Sequence, residues 1–128
     1  MADQFDLNGS YQTTPLDGDL SLAPNVVAPI QVSLVLDAQA VLQMNLTSDS
    51  PQAIPFGSVV NANVVLLGVT NGGGKVDAII TSADGTAQIV PFDLLLSVIN
   101  QLVPITAISL QRTPATNTVV NVFLGEMA

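Results

Sequence analysis

The segment "KVDAIITSADGTAQIVPF", residues 75–92, decides the fold. Two runs rich in Ile, Val and Thr, 75–82 and 86–92, flank Ala83-Asp84-Gly85. Asp-Gly between two such runs is a strong hairpin signal, because glycine accepts the positive φ that tight hairpin turns require. The segment therefore predicts two antiparallel strands.

Upstream, "SVVNANVVLLGV" (58–69) is β-branched and becomes apolar on both faces toward its end, as a buried strand would. Between it and the hairpin lies "GVTNGGGK" (68–75), the stretch that most resembles a binding site. A phosphate-binding P-loop needs Gly, four residues, then Gly-Lys-Ser/Thr. Here the position for the first glycine is Val69, and Lys75 is followed by Val76. The next residues continue as a strand, so no helix N-terminus is offered to a phosphate. The loop reads as a hairpin tip between 58–69 and 75–82. Further upstream, "QVSLVLD" (31–37) and "VLQMNL" (41–46) each alternate at period two, placing Val32, Leu34 and Leu36, then Leu42, Met44 and Leu46, on one face. "DAQA" between them could turn the chain.

Downstream, "PITAISLQR" (104–112) and "TVVNVFLGE" (118–126) flank Thr113-Pro114-Ala115-Thr116-Asn117 and read as a second hairpin with a longer loop. Residues 92–103, "FDLLLSVINQLV", fit either a helix capped by Asp93 or a buried strand closed by Asn100. Length favours the helix, and the β-rich surroundings tip the reading to the strand. The total is about seven or eight short strands without a long helix. That describes an all-β chain, a single β-sandwich of jelly-roll-like or immunoglobulin-like type. Residues 1–30 carry four acids (Asp3, Asp6, Asp17, Asp19) and three prolines without sustained periodicity. They are expected to form an extended N-terminal arm beside a sandwich domain spanning 31–128.

Composition limits the chemistry. The 128-residue chain is 48% hydrophobic but only 9% charged, against about a quarter in ordinary soluble domains. A surface so poor in charge exposes apolar area, which usually marks interfaces. Ten acids against two bases give a net charge of −8, which disfavours a nucleic-acid partner or an anionic membrane. The N-terminus lacks the features of a signal peptide. The uncharged spans 50–74 and 94–111 are broken by Pro, Asn or Gln and lack flanking bases, so no membrane span is expected.

There is no His and no Cys, which removes the commonest general base, metal ligand and thiolate nucleophile. Asp17-Gly18-Asp19 matches a fragment of a calcium loop but lacks the spaced third ligand and the distal Glu. Asp84 suits a turn, while Asp37, Asp77 and Asp93 lie near strand ends or on polar faces. With no Trp and one Tyr, Tyr11, a sugar-stacking cleft is poorly supplied. The tripeptides "NGS" (8–10) and "NLT" (45–47) fit a glycosylation sequon by chance. No catalytic residue, cofactor or metal site is assigned, and the chain is not expected to be an enzyme.

In "IPFGSVVNANVVLLGV", "ADGTAQIVPFD", "PITAISLQR" and "NTVVNVFLGE" the block 55–126 resembles small β-sandwich virion proteins of tailed bacteriophages, which decorate capsids or form head fibres. The resemblance covers a little over half the chain. It implies a capsid-bound decoration (cement) protein, often a homotrimer, made in the host cytoplasm and reinforcing the shell where major capsid protein subunits meet. The arm would clamp the capsid, with 64–69 and 119–124 mostly core. The alternative is a glycan- or receptor-binding sandwich, as a head fibre or tail component.

Overall fold

The computed structural model describes residues 3–12, 27–70, 74–99 and 103–128. Among them are nine strands: β1 (Asp3–Gln12), β2 (Val27–Leu46), β3 (Gln52–Ala53), β4 (Val64–Val69), β5 (Val76–Ser82), β6 (Ala87–Phe92), β7 (Leu95–Ile99), β8 (Ile105–Arg112) and β9 (Thr118–Met127). They form two antiparallel sheets packed as a β-sandwich: a five-stranded sheet ordered β1-β2-β9-β4-β7 and a four-stranded sheet ordered β3-β8-β5-β6. No helix occurs among the described residues, and residues 95–99 form a strand. No helix among them is long and apolar enough to cross a membrane.

Period-two alternation builds the core. Val65 and Leu67 of β4 and Val120, Val122 and Leu124 of β9 point inward from the larger sheet. Val76, Ala78, Ile80, Ile108 and Leu110 meet them from the smaller one. Only alternate residues of 64–69 and 119–124 are therefore in this core; the others face the opposite side of their sheet.

The hairpin at 83–85 forms as expected. Gly85 stands at φ +85°, its N–H donates to the Ser82 carbonyl at 3.0 Å, and the Ser82 N–H donates to the Thr86 carbonyl at 2.9 Å. A tight turn closed by a left-handed glycine is the usual three-residue hairpin solution. β6 lies at the sheet edge, which is where Pro91 can be accommodated.

Four local expectations are corrected. "DAQA" does not turn the chain. β2 runs on through it, with a bulge between Leu36 and Ala38. The strand expected over 58–69 begins only at Val64, because 58–63 is held in a turn by the Phe56 carbonyl and by an isolated bridge between Ala62 and Ile105. Segment 68–75 is not a hairpin tip, since β4 and β5 belong to different sheets. The same holds for 113–117, which carries the chain from β8 in one sheet to β9 in the other. Residues 71–73 and 100–102 lie outside the described residues. Gly74 has a packing reason to be glycine: a Cβ there would lie 2.8 Å from Thr113 Oγ1, which donates to the Lys75 carbonyl.

Within the stretch read as an arm, β1 pairs antiparallel with 27–36, from Asp3 opposite Leu36 to Gln12 opposite Val27. Residues 13–26, including Asp17 and Asp19, lie outside the described residues.

Candidate functional site

Among the described residues, the carboxylates considered from sequence do not gather into a site. Asp84 sits in the β5–β6 turn and accepts the Thr86 N–H at 2.9 Å; this backbone hydrogen bond, with a second from the Thr86 side chain, holds its carboxyl below the ordinary value. Asp37 is the exposed bulge residue of β2. Asp77 lies on β5 opposite Pro91 and Gln111, and Asp93 is exposed between β6 and β7. Among the described residues no three His, Cys, Asp or Glu side chains gather as metal ligands would. Every buried side-chain nitrogen or oxygen in that set has a hydrogen-bond partner.

Sequence reasoning missed one polar constellation. Asp49 Oδ1 accepts from Arg112 Nε at 3.0 Å and from the Ala115 N–H at 2.9 Å, and Arg112 Nη2 lies 2.9 Å away. Arg112 also donates to Asn117. Ala115 has a positive φ of 61°, a conformation costing a non-glycine residue about 1–2 kcal/mol. The cluster ties the loop after β2 to the β8–β9 crossover. Its one available signal was that Arg112 is one of only two bases in the chain.

A different kind of surface stands out on the outer face of the larger sheet. Such a face ordinarily carries polar residues between the inward apolar ones. Here the outward residues of β4 are Val64, Leu66 and Gly68, opposite Gly125, Phe123 and Asn121 of β9. Val41 of β2 lies opposite Phe123 and is 73% exposed. Of these, Val41, Leu66, Gly68, Asn121 and Phe123, with Gln43, Leu42 and Val122, surround an open groove of about 470 Å³. Gly68 contributes depth by having no side chain. The Gln43 amide donates to the Asn121 side-chain carbonyl at 3.1 Å, so the groove's polar rim is internally bonded and its floor is apolar.

The same face carries a second, more buried apolar layer. The bulge at Asp37 shifts the phase of β2, so Leu36 lies opposite Met127 while Ala38 lies opposite Glu126. Leu36 thus sits on the outer face, 1% exposed, with its methyl groups where a Cβ of Gly125 would be. Phe5, opposite Leu34 on the ribbon of β1 and β2, stacks on Phe123 with ring centroids 5.0 Å apart and planes at 24°. Val64 beside them is fully buried.

No known protein family, no curated protein and no solved structure matches the chain.

Proposed function

We propose that the chain is a structural virion protein of the capsid-decoration type, one that binds the outer shell and stabilises it by bridging major capsid subunits. One observation carries the reading: the outer face of the larger sheet is apolar around an open groove, with Val41, Leu66 and Phe123 where a free sandwich would place polar side chains. The low charge of the chain and its resemblance to small phage sandwich proteins support a role for that face in assembly.

The mechanism is burial. A stable contact covers about 800 Å² per partner. Apolar area contributes about 25 cal/mol per Å², less the freedom lost on association. Repeated symmetrically over a shell, modest contacts of this kind resist internal pressure. The groove is where a neighbouring subunit's apolar side chain would seat.

Electron microscopy with antibody against the purified chain tests this. Intact particles released by the cells that make the protein should be labelled on their outer surface. Added Val41→Glu protein should no longer sediment with particles from which the native chain has been stripped. Absence of the chain from particles, or undiminished sedimentation of the variant, overturns the proposal.

A further inference from the structure

Among the described residues the two sheets have four edge strands: β1 and β7 in the larger sheet, β3 and β6 in the smaller. An unpaired edge offers its N–H and C=O groups to any passing strand, and proteins block it with charge, proline, a bulge or shortness. β1 carries Asp3 and Asp6, and β3 is two residues long. β6 carries Pro91. There the Ser82 N–H bonds the Thr86 carbonyl, so alternation along the ladder turns the backbone of Ala87, Ile89 and Pro91 toward the open side. Pro91 therefore removes a donor where an incoming strand would need one.

β7 has none of these devices. Its sequence, Leu95-Leu96-Ser97-Val98-Ile99, has no charge and no proline, and no charged residue occurs from 94 to 111. The Val69 N–H donates to the Leu94 carbonyl at 2.9 Å. Leu96 and Val98, two and four residues on, therefore bond β4, which leaves the N–H and C=O of Leu95, Ser97 and Ile99 directed at the open edge. Leu94 and Leu95 beside it are 75% and 66% exposed.

We propose that this edge pairs with β7 of a second copy, antiparallel about a two-fold axis at Ser97. The proposal rests on the reading of the chain as an assembly subunit and names one surface through which it assembles. Three observations select a copy of the same strand. The free groups are backbone donors and acceptors in strand register, so the partner is a strand. The edge is uncharged, so it selects neither an acidic nor a basic partner. A chain of net charge −8 approaches its own copy most easily where no carboxylate stands, and β7, five residues long, is the edge longer than two residues that meets this condition without proline. In this register Ser97 faces Ser97 of the copy and Leu95 faces Ile99 across the axis. Each such pair exchanges two N–H···O bonds. The two Asp93 carboxylates fall at opposite ends of the ladder, roughly 26 Å apart at about 3.3 Å per residue. The larger sheets of the two copies become one continuous sheet.

The pairing is tested on the full chain by sedimentation equilibrium across a hundredfold dilution. The expected species is a dimer, twice the 13.2 kDa chain mass, and Leu95→Lys should reduce it to a monomer. Ile89→Lys on the proline-guarded edge should remain a dimer. Ser97→Cys supplies a second, independent readout, because the chain has no cysteine. Paired Cα atoms about 5.5 Å apart fall within disulfide reach, so oxidation should cross-link Ser97→Cys and not Ile89→Cys. A monomer at every concentration, a trimer, or a dimer that persists in Leu95→Lys overturns the proposal. Particle binding by the wild-type chain separates the two readings: a wild-type monomer that still binds particles removes the β7 pairing and leaves the decoration role standing.

Discussion

Asp49 shows how much one carboxylate can organise in a chain with so few charges. Its backbone hydrogen bond from Ala115, opposed by desolvation and reinforced by the Arg112 guanidinium, holds its carboxyl below the ordinary 3.8. A folded value below the unfolded one means that stability is present in full above 3.8 and lost as pH falls through the folded value. Asp84 is shifted in the same direction by Thr86 and adds to the same acid limb. Urea denaturation as a function of pH checks the Asp49 part. Wild type should exceed Asp49→Ala in stability at neutral pH, and the gap should close below about pH 3.8, where protonation does what the substitution did. A gap unchanged between pH 7 and pH 2.5 would mean that Asp49 acts by shape and not by charge. Both groups lie near the surface, so added salt should narrow the gap.

At the scale of elements, β2 carries the main lesson about legibility. Its two apolar rows, Val32-Leu34-Leu36 and Leu42-Met44-Leu46, are readable from period two, and both are even-numbered. Without the bulge at Asp37 they would share one face. With it, the first row joins Phe123 on the outside while the second joins the core. Nothing in "DAQA" distinguishes a bulge from a turn, because its one short polar residue, Asp37, suits both. The crossovers at 68–75 and 113–117 escaped for a related reason: turn residues report that a chain bends, not which sheet receives the next strand. The Asp84-Gly85 hairpin was legible because its signal is local and its glycine has no substitute at φ +85°. The apolar groove was half legible. The apolar-both-faces pattern of 64–69 was visible, but it reads as burial until the register shows one face looking outward.

The outer row also predicts how the ribbon of β1 and β2 is held. Among the described residues, β1 is held by its ladder to 27–36, by side-chain hydrogen bonds joining Gln4 and Asp6 to Ser33, and by the stack of Phe5 on Phe123. Aromatic pairs contribute about 0.5–1.5 kcal/mol beyond area burial. In Phe5→Ala, amide hydrogen exchange in residues 3–12 and 27–35 should accelerate roughly tenfold, while β4, β5 and β8 keep their protection. Uniform acceleration across both sheets would show that the ribbon is part of the global folding unit.

For the whole molecule, charge and apolar surface act against each other. Eight net negative charges on a 13.2 kDa chain oppose the approach of a second copy, which the proposed pairing through the uncharged β7 edge must overcome. That pairing uses no ion pair, so salt should affect only the repulsion. At about 0.01 M ionic strength the Debye length is about 30 Å and the carboxylates of two approaching copies sense one another. At 0.15 M it is about 8 Å, and that repulsion is largely screened. Self-association should therefore strengthen as sodium chloride rises from low to physiological concentration, the reverse of an interface built on complementary charges. Sedimentation velocity at fixed protein concentration across that range reads it directly, as a weight-average mass that climbs with salt. A mass that falls with salt would place charged groups in the contact, and Arg112 and Lys75, the two bases of the chain, would be the first to substitute. A mass indifferent to salt would mean that the acids point away from the partner in the assembled state, leaving their repulsion too weak to govern encounter.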